Sequence, residues 1–333
     1  MSNGDRKGIK VLKTRMTELL GIKYPIQCGT MHWLSRAELV ASVANVGGLA
    51  CLSGASFPTK KELLDEIHKT QDMTDKPFGV NISLFPALVP KPPEEMIETI
   101  VESGVSILET AGQSPKSLRK MIVDSGLIHI HKCARVRNAV RMDRMGVDVI
   151  SIVGTECGGH PGMDEVTSLV LIPQAVDAVQ RPLIVGGGFC DGRTLIVALA
   201  LGADGVNMGT RFINTKECPA HHSFKEKIIN SRERDTVLVM KSIKNPARVL
   251  KNTWAKKIVE MENKGTSPEE LLPMTSGKLS RIGWVEGNIN KGLYPLGQVA
   301  GRIHDILSVS ELIKGIVDEA VEVKKRINSL FDS

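Results

Sequence analysis

The stretch of sequence that decides the fold is 183–210, which reads LIVGGGFCDGRTLIVALALGADGVNMGT. Two short apolar runs, 183–185 and 205–208, lie on either side of a helical pattern that covers 195–201 and stops at Gly202. Glycines follow both apolar runs directly. A buried strand, a glycine turn, a helix and a second buried strand are typical of a βαβ unit in a parallel sheet.

The same alternation of strand and helix patterns extends back to the start of the chain. Short apolar runs followed by a glycine or polar turn occur at 25–27, 48–52, 78–81, 106–109, 128–132, 149–152, 183–185 and 205–208. Eight such units predict an α/β fold, a closed (β/α)8 TIM barrel. An open, doubly wound sheet is the alternative. It is disfavoured because Gly29-Thr30-Met31 follows the first strand, where that fold carries G-x-G-x-x-G.

Several helices carry recognisable start signals. The segments 35–38 and 59–62 both read as capping boxes, in which a hydroxyl accepts from a backbone N–H three residues on and a glutamate reaches back. Pro92-Pro93 followed by two glutamates predicts another helix start, with acidic residues near the positive end of the helix.

The βα rhythm is lost beyond Phe212. The segment 217–264 is charged and mostly helical in pattern, with Pro246 interrupting it, and 275–301 is rich in glycine. A final amphipathic helix is expected at about 310–330. We therefore predict a barrel at 14–220, a smaller and mostly helical cap with a glycine-rich segment at 221–305, and a C-terminal helix at 306–333 that packs back on the barrel.

Composition narrows the classes of function. The 333 residues carry a net charge of +6, which is typical of solvated helix faces and would also favour anionic ligands. The aromatic content of 4% argues against surfaces that stack nucleic-acid bases. The six cysteines form no C-x-x-C pair, so neither a zinc site nor a dithiol is predicted, and no other metal constellation is evident. No signal peptide and no apolar run long enough for a membrane span is recognised, so we expect a cytoplasmic protein.

The glycines after the last two strands point to an anion site. In these barrels the loops after strands seven and eight are the usual place for a phosphate, held by backbone N–H groups and a helix N-terminus. Here those loops carry the predicted phosphate-binding residues Gly186, Gly187, Gly188, Met208, Gly209 and Thr210. The alternative is that these glycines serve only a tight turn and a helix entry.

The loop 154–162, which reads GTECGGHPG after the sixth strand, is the main candidate for chemistry. Glycines let the backbone approach a ligand closely, because no Cβ intervenes. A histidine in such a loop can exchange a proton near neutral pH, so His160 is the predicted acid or base, with Gly159 beside the ligand. An ordinary loop histidine next to a Pro-Gly turn is the alternative.

Polar residues also end the third, fourth and fifth strands. Asn81 can read the edge of a heterocycle through its amide, or it can simply begin a turn. Lys132 must bring its ammonium to water or to an anion, and we predict a ligand contact over a surface lysine. Glu109 is left unassigned, as a carboxylate that could be structural. His131 is expected to pack or hydrogen-bond within the barrel.

The chain resembles the flavin-dependent nitronate monooxygenase family, also called 2-nitropropane dioxygenases. The match runs from about residue 14 to 306, and an ordered set of motifs carries it: Pro25-Ile26 with Gly29 and Met31, then 44–49 (ANVGGL), 78–81 (FGVN), 158–162 (GGHPG), 186–188 (GGG), 202–212 (GADGVNMGTRF), and Gly297-Gln298 with Gly301.

This resemblance implies an enzyme with non-covalent FMN that oxidises alkyl nitronates, or their parent nitroalkanes, with O2. It places the FMN phosphate on 186–188 and on Gly209-Thr210. It places His160 near the flavin as the base that deprotonates a nitroalkane, or as a partner for the oxygens of the substrate. Six residues are expected along the isoalloxazine and the ribityl chain: Gly29, Thr30, Met31, Asn81, Lys132 and Gly159.

A second hypothesis comes from the details of the motifs. Thr30 replaces a glycine that the family usually carries, and His160-Pro161, Lys132-Cys133 and 215–219 (TKECP) are similar to an NADH:quinone reductase branch. Flavin-type enoyl-ACP reductases share the same framework. The alternative is therefore an NAD(P)H-dependent flavin reductase that acts on quinones or an enoyl thioester. A non-redox protein that binds a phosphorylated ligand is a third hypothesis, and a homodimer is left open.

Overall fold

The computed structural model describes residues 12–84 and 92–331. Eight parallel strands pair in chain order and close into a barrel, in which Cys28 of the first strand pairs with Met208 of the last. The strands are β1 Ile26–Cys28, β2 Leu49–Ser53, β3 Gly79–Leu84, β4 Ile107–Gly112, β5 Ile128–Cys133, β6 Val149–Val153, β7 Leu183–Gly186 and β8 Gly205–Met208. The predicted (β/α)8 barrel is confirmed, with each strand within a few residues of its predicted position.

Helices precede, connect and cover the strands. They are α1 Arg15–Leu20, α2 Ala37–Val46, α3 Lys60–Met73, α4 Pro93–Glu102, α5 Arg119–Asp124, α6 Val136–Met145, α7 Ser168–Ala178 and α8 Gly192–Ala200. The start of α3 is the predicted capping box, with reciprocal bonds between Thr59 and Glu62, and α4 begins at Pro93 as predicted.

The capping box predicted at 35–38 is wrong. Helix α2 begins at Ala37, and the Ser35 hydroxyl accepts a hydrogen bond from the backbone N–H of Met31, on the preceding loop. The backbone N–H of Ala37 donates instead to Glu66 of α3, at 2.8 Å. A tertiary carboxylate thus satisfies the helix end that the local pattern assigned to a serine.

The remaining elements follow the barrel. They are α9 Thr210–Ile213, α10 His222–Ile229, β9 Thr236–Val239, β10 Ala247–Leu250, α11 Thr253–Asn263, α12 Pro268–Leu271, α13 Gly277–Glu286 and α14 Val309–Asn328. Helix α14 matches the predicted C-terminal helix and packs against α8 and α2.

The antiparallel hairpin of β9 and β10 corrects the expectation that 217–264 is mostly helical, with Pro246 interrupting it. Pro246 directly precedes β10 and does not break a helix. Strand β9 is rich in β-branched residues, but β10 has only one, and the connection 240–246 lacks the two-residue turn that marks a hairpin in sequence. Local sequence signals therefore did not predict the hairpin.

The interior of the barrel has two chemically different halves. At the amino ends of the strands, Leu49, Ile107, Ile130, Val149 and Ile184 form an apolar cluster that Met16 of α1 closes from below. At the carboxyl ends the interior is polar, and Gln27, Glu109 and Ser151 are fully buried there. Burying polar groups is costly unless they are hydrogen-bonded, so this half of the barrel points to a site.

No helix among the described residues is long and apolar enough to cross a membrane.

Candidate active site

The loops after β7 and β8 form a cradle of backbone at the barrel mouth. Gly187 and Gly188 adopt φ values of +98° and +84°, which L side chains rarely take. Among the described residues, the backbone N–H groups of Gly188 and Gly209 have no hydrogen-bond acceptor. A Cβ built on Gly209 would meet no atom within 4 Å. The cradle therefore combines open space with N–H donors, which is what an anion requires.

Two of the predicted phosphate-binding residues turn their side chains away from this space. The Met208 side chain is buried in the hydrophobic core, and its carbonyl accepts from the backbone N–H of Gly29 at 2.9 Å. The Thr210 hydroxyl accepts from the backbone N–H of Gly297, at 2.9 Å. Met208 can therefore reach a ligand at the cradle through its backbone only, whereas the Thr210 hydroxyl keeps its own O–H as a donor.

The loop 154–162 is fastened to its neighbours by Glu156, a residue that the sequence did not single out. Its carboxylate accepts from the backbone N–H of Ser168 at the start of α7, at 2.9 and 3.0 Å, and from the Ser168 hydroxyl. The Ser168 hydroxyl also lies 2.8 Å from the carbonyl of Gly187. These bonds hold the loop after β6 against the cradle after β7.

Arg248 of β10 fixes the same loop from the opposite side. Its backbone exchanges two hydrogen bonds with Gly159, at 3.0 and 2.7 Å. Its buried guanidinium donates from Nε to the carbonyl of Thr155 at 2.7 Å. The hairpin thus adds a short stretch of antiparallel pairing to the loop that carries His160.

His160 lies at the mouth with its ring held by the same hairpin. Its Nδ1 is 3.2 Å from the carbonyl of Pro246. Desolvation by the surrounding loops lowers the pKa of His160, although the residue is open to solvent on one side, and hydrogen bonds to Pro246 and Asn245 oppose this shift. Because a carbonyl accepts only, Nδ1 must carry the proton, and the neutral ring has its lone pair at Nε2. The ring is therefore set up to accept a proton.

Glu109, which the sequence left unassigned, is the centre of the polar half of the barrel. Its Oε2 accepts from Nε2 of Gln27 at 2.7 Å, and its Oε1 accepts from the Thr30 hydroxyl and from Nδ2 of Asn81, each at 2.7 Å. Nζ of Lys132 lies 3.8 Å from Oε1. The structure thus brings together Thr30, Asn81 and Lys132, three predicted ligand residues, on one carboxylate.

Gly29 and Met31 lie beside this cluster, on the loop after β1. A Cβ on Gly29 would stand 2.5 Å from Oδ1 of Asn207, so a larger residue cannot fit there without a shift. Met31 is half-buried and packs against the core. The predicted ligand residues from β1, β3, β5 and the loops after β6, β7 and β8 therefore all lie at one end of the barrel.

Other titratable residues do not belong to this group. His131 and His129 share the hydroxyl of Thr110, each at 2.7 Å, and burial lowers the pKa of His129 to about 3 and that of His131 to about 4. The expectation that His131 hydrogen-bonds within the barrel is confirmed. His221 binds Ser223 at the start of α10, where His222 pairs with Glu226.

The cysteines near the mouth are poor nucleophiles. Burial raises the pKa of Cys133, Cys157 and Cys190 to about 12 each. The thiolate is the reactive form of cysteine, and it is scarce at neutral pH when the pKa is this high. We therefore assign no nucleophile to these three cysteines.

Comparison with known proteins places this geometry in a family. The nitronate monooxygenase family model matches residues 13–319. The chain is 32% identical to a "(3aS,4S,5R,7aS)-5-hydroxy-7a-methyl-1-oxo-octahydro-1H-indene-4-carboxyl-CoA dehydrogenase" of Rhodococcus jostii, over 97% of this chain and 99% of the relative. It is 29% identical to a probable nitronate monooxygenase of Staphylococcus saprophyticus, over 95% and 99%.

Solved structures agree with this assignment. FabK from Thermotoga maritima superposes with a TM-score of 0.88 at 34% identity, covering 96% of this chain and 99% of that one. A nitroalkane oxidase from Streptomyces ansochromogenes shares the fold, with a TM-score of 0.79 at 21% identity over 94% and 99%. The chain is a flavin-dependent oxidoreductase. It belongs to the nitronate monooxygenase family.

Proposed function

We propose that this protein is an FMN-dependent enzyme that oxidises alkyl nitronates with O2 and accepts nitroalkanes through deprotonation by His160. The observation that carries the proposal is the His160 ring, whose Nδ1 is tied to the Pro246 carbonyl and whose pKa is lowered. A neutral imidazole with its lone pair at Nε2 can take a proton from carbon next to a nitro group.

The residues at the mouth fit a phosphorylated heterocycle such as FMN. The cradle at 186–188 and 209–210 offers N–H donors without acceptors among the described residues, and it has room that a Cβ on Gly209 would enter. Below it, three buried polar atoms have no hydrogen-bond partner among the described residues: Oε1 of Gln27, Oγ of Ser151 and Nδ2 of Asn207. Buried polar atoms without partners indicate a missing ligand or water.

We therefore assign the cofactor contacts to two groups of residues. The backbone of Gly186, Gly187, Gly188, Met208, Gly209 and Thr210 would hold the phosphate, and Gly29, Thr30, Met31, Asn81, Lys132 and Gly159 would line the ring and the ribityl chain. When bound, FMN supplies the electron transfer from the substrate and onward to O2.

The chain itself supplies charge and proton transfer. Nε2 of His160 takes the proton from the α-carbon of a neutral nitroalkane, which leaves an imidazolium and a nitronate anion. The Lys132 ammonium, 3.8 Å from Glu109, compensates that carboxylate and can still donate hydrogen bonds to a bound ligand. Preformed nitronate needs no base, so His160 would then serve only to bind it.

The division of the chain also remains a proposal. We assign 14–220 to the FMN-binding barrel, 221–305 to a cap and 306–333 to a helix that returns to the barrel. The contacts of Arg248 and Pro246 with the loop 154–162 support a cap that shapes the site. Packing of α14 on α8 and α2 supports the third assignment.

A second candidate function has a specific observation in its favour. The relative from R. jostii, 32% identical over nearly the whole chain, is named for a CoA thioester, and FabK is 34% identical. The nitroalkane oxidase is only 21% identical. The alternative is thus an NAD(P)H-dependent flavin enzyme that acts on a thioester or a quinone, with His160 as the group that moves the proton.

Anaerobic mixing separates the two candidates. The FMN-loaded protein is mixed with an alkyl nitronate, with NADH and with NADPH, and flavin absorbance is followed at about 450 nm. Our proposal expects rapid bleaching by the nitronate and a flavin that stays oxidised with both nucleotides. Rapid bleaching by a nucleotide and none by the nitronate would favour the reductase and turn the substrate search to thioesters and quinones.

A further inference from the structure

We propose that Glu109 is a positioning residue that fixes the amide of Asn81 so that it offers the cofactor a hydrogen-bond acceptor. This inference rests on the proposed FMN site. Glu109 does not touch the cofactor in this proposal. It acts through Asn81, by holding the amide nitrogen and so committing the amide oxygen to the ligand.

The geometry leaves little freedom to the carboxylate. Glu109 is fully buried, and its two oxygens accept three hydrogen bonds of 2.7 Å from Gln27, Thr30 and Asn81. Each partner contributes a donor, which suits a carboxylate because an ionised carboxylate only accepts. The Lys132 ammonium, at 3.8 Å, compensates its charge.

The orientation of Asn81 follows from this arrangement. An amide has one accepting oxygen and an NH2 group with two hydrogens, and one of these hydrogens is bound to Oε1 of Glu109. This bond fixes the amide with Nδ2 toward Glu109, which leaves Oδ1 as the accepting atom that Asn81 presents to a bound ring. An oxidised isoalloxazine carries one ring N–H, at N3, and its other ring heteroatoms only accept. The fixed Oδ1 of Asn81 can accept from that N–H. An amide turned the other way would direct its N–H donors at the ring instead, and they could not bind that N–H.

The Glu109→Gln substitution tests this by reversing the polarity of one side of the cluster. While Gln27 keeps its orientation, the oxygen of the substituted side chain accepts from it and the new amide nitrogen faces Thr30 and Asn81. Because Gln27 could also turn its unpartnered Oε1 toward that nitrogen, Glu109→Leu is measured beside Glu109→Gln, since leucine offers Asn81 no acceptor in either case. The Thr30 hydroxyl can rotate to accept, but Asn81 can accept only by turning its oxygen inward. We expect the dissociation constant of FMN to rise on the order of 10- to 100-fold, the effect of one mismatched buried hydrogen bond.

The double substitution Glu109→Gln with Asn81→Asp should restore binding. An aspartate at position 81 accepts from the new amide at position 109 with one oxygen and still presents an acceptor with the other. The net charge of the cluster is that of the natural protein. We expect FMN affinity within about fivefold of that protein, because the two changes are coupled through one hydrogen bond. Asn81→Asp alone places two carboxylates together and should bind FMN worst.

The experiment is a fluorescence titration of each apoprotein with FMN, together with a thermal melt of each apoprotein. Glu66→Gln is the matched control, because Glu66 is also a buried carboxylate that binds a backbone N–H, but outside the barrel interior. It should lower Tm and leave FMN affinity unchanged. A purely structural role for Glu109 would give both Glu109→Gln and Glu109→Leu the same pattern as this control and would overturn the inference.

The remaining outcomes are also decisive. A double variant that binds FMN no better than Asn81→Asp alone would overturn the assigned polarity of Asn81. If the natural protein itself fails to bind FMN, the proposed function fails, and the melts still test the pairing. A Tm of the double variant above that of Asn81→Asp alone supports the pairing of Glu109 with Asn81. A Tm at or below that of Asn81→Asp overturns it.

Discussion

Replacement of His160 by asparagine should separate proton abstraction from every other step. The asparagine amide nitrogen can take the place of Nδ1 and keep the hydrogen bond to the Pro246 carbonyl, which is 3.2 Å from the ring in the natural protein. The substitution removes Nε2, the nitrogen that carries the lone pair. The loop should therefore keep its position while the base is lost.

The expected magnitude differs between two substrates. For a neutral nitroalkane, kcat/KM should fall by ~100-fold or more, which is the usual effect of removing a general base. For preformed nitronate only a hydrogen bond to the substrate is lost, worth roughly 0.5–1.5 kcal/mol, so the fall should stay at about tenfold or less. Because the pKa of His160 is lowered, the natural enzyme has its base form at neutral pH, and the comparison is made there.

The assay is steady-state oxygen consumption with the two forms of one nitroalkane, at matched FMN occupancy. His160→Gln is the companion variant, since its amide lies near the position of Nε2 but leaves the Pro246 carbonyl without its partner. Both variants should lose activity on the nitroalkane. Equal losses of the asparagine variant on nitroalkane and nitronate would refute the assignment of His160 as the base.

Three further predictions test the cradle, the clamp and the buried histidines. Gly209→Val should weaken FMN binding at least ~10-fold without lowering Tm, because its side chain enters space that is open in the apoprotein. Gly315→Val, whose side chain also enters open space but lies on α14, should leave FMN affinity unchanged. Equal FMN affinities of these two variants in a titration would contradict the cradle. Arg248→Met should lower Tm by several degrees and weaken FMN binding, because the loop 154–162 loses charged hydrogen bonds worth roughly 1.5–3 kcal/mol each. An unchanged Tm would show that Arg248 does not hold this loop in place. His129 and His131 have lowered pKa values in the folded state, so below pH ~6.5 the unfolded state binds more protons than the folded state. As the pH is lowered, the free energy of unfolding should fall by up to ~1.4 kcal/mol per pH unit for each histidine. Denaturant titrations that give constant stability down to about pH 4.5 would contradict this.

The barrel could be predicted because its signals are local. Short apolar runs, glycine turns and helix caps repeat along the chain, and each of the eight units can be recognised without knowing its neighbours in space. The failure at Ser35 shows the limit of such signals. The capping pattern was present, but a carboxylate from α3, Glu66, had the better geometry for the start of α2.

The candidate site was predictable in its parts but not in its organisation. Lys132 is predicted as a ligand residue because its ammonium at the end of an apolar strand must reach water or an anion, and Asn81 because of the resemblance to the family. Their common partner, Glu109, accepts from residues 82, 79 and 28 positions away, and no local pattern encodes that convergence. A carboxylate at the end of an apolar strand was the available signal.

The contribution of the hairpin was missed for the same reason. Arg248 and Pro246 lie far along the chain from the loop that they hold, with 86 positions between Pro246 and His160. In the sequence both residues belong to a charged segment that a proline interrupts. Only the folded chain shows that this segment fixes the tautomer of the residue proposed as the base.

The central claim is a site that binds the phosphate and the ring of FMN at the carboxyl ends of the strands. Its most direct test is a titration of the apoprotein with FMN and with riboflavin, which lacks the phosphate. The account predicts one FMN per chain and at least ~100-fold weaker binding of riboflavin, because the backbone N–H groups of the cradle make charge-assisted hydrogen bonds to the phosphate only. Equal affinity for the two flavins, or no binding of either, would contradict it.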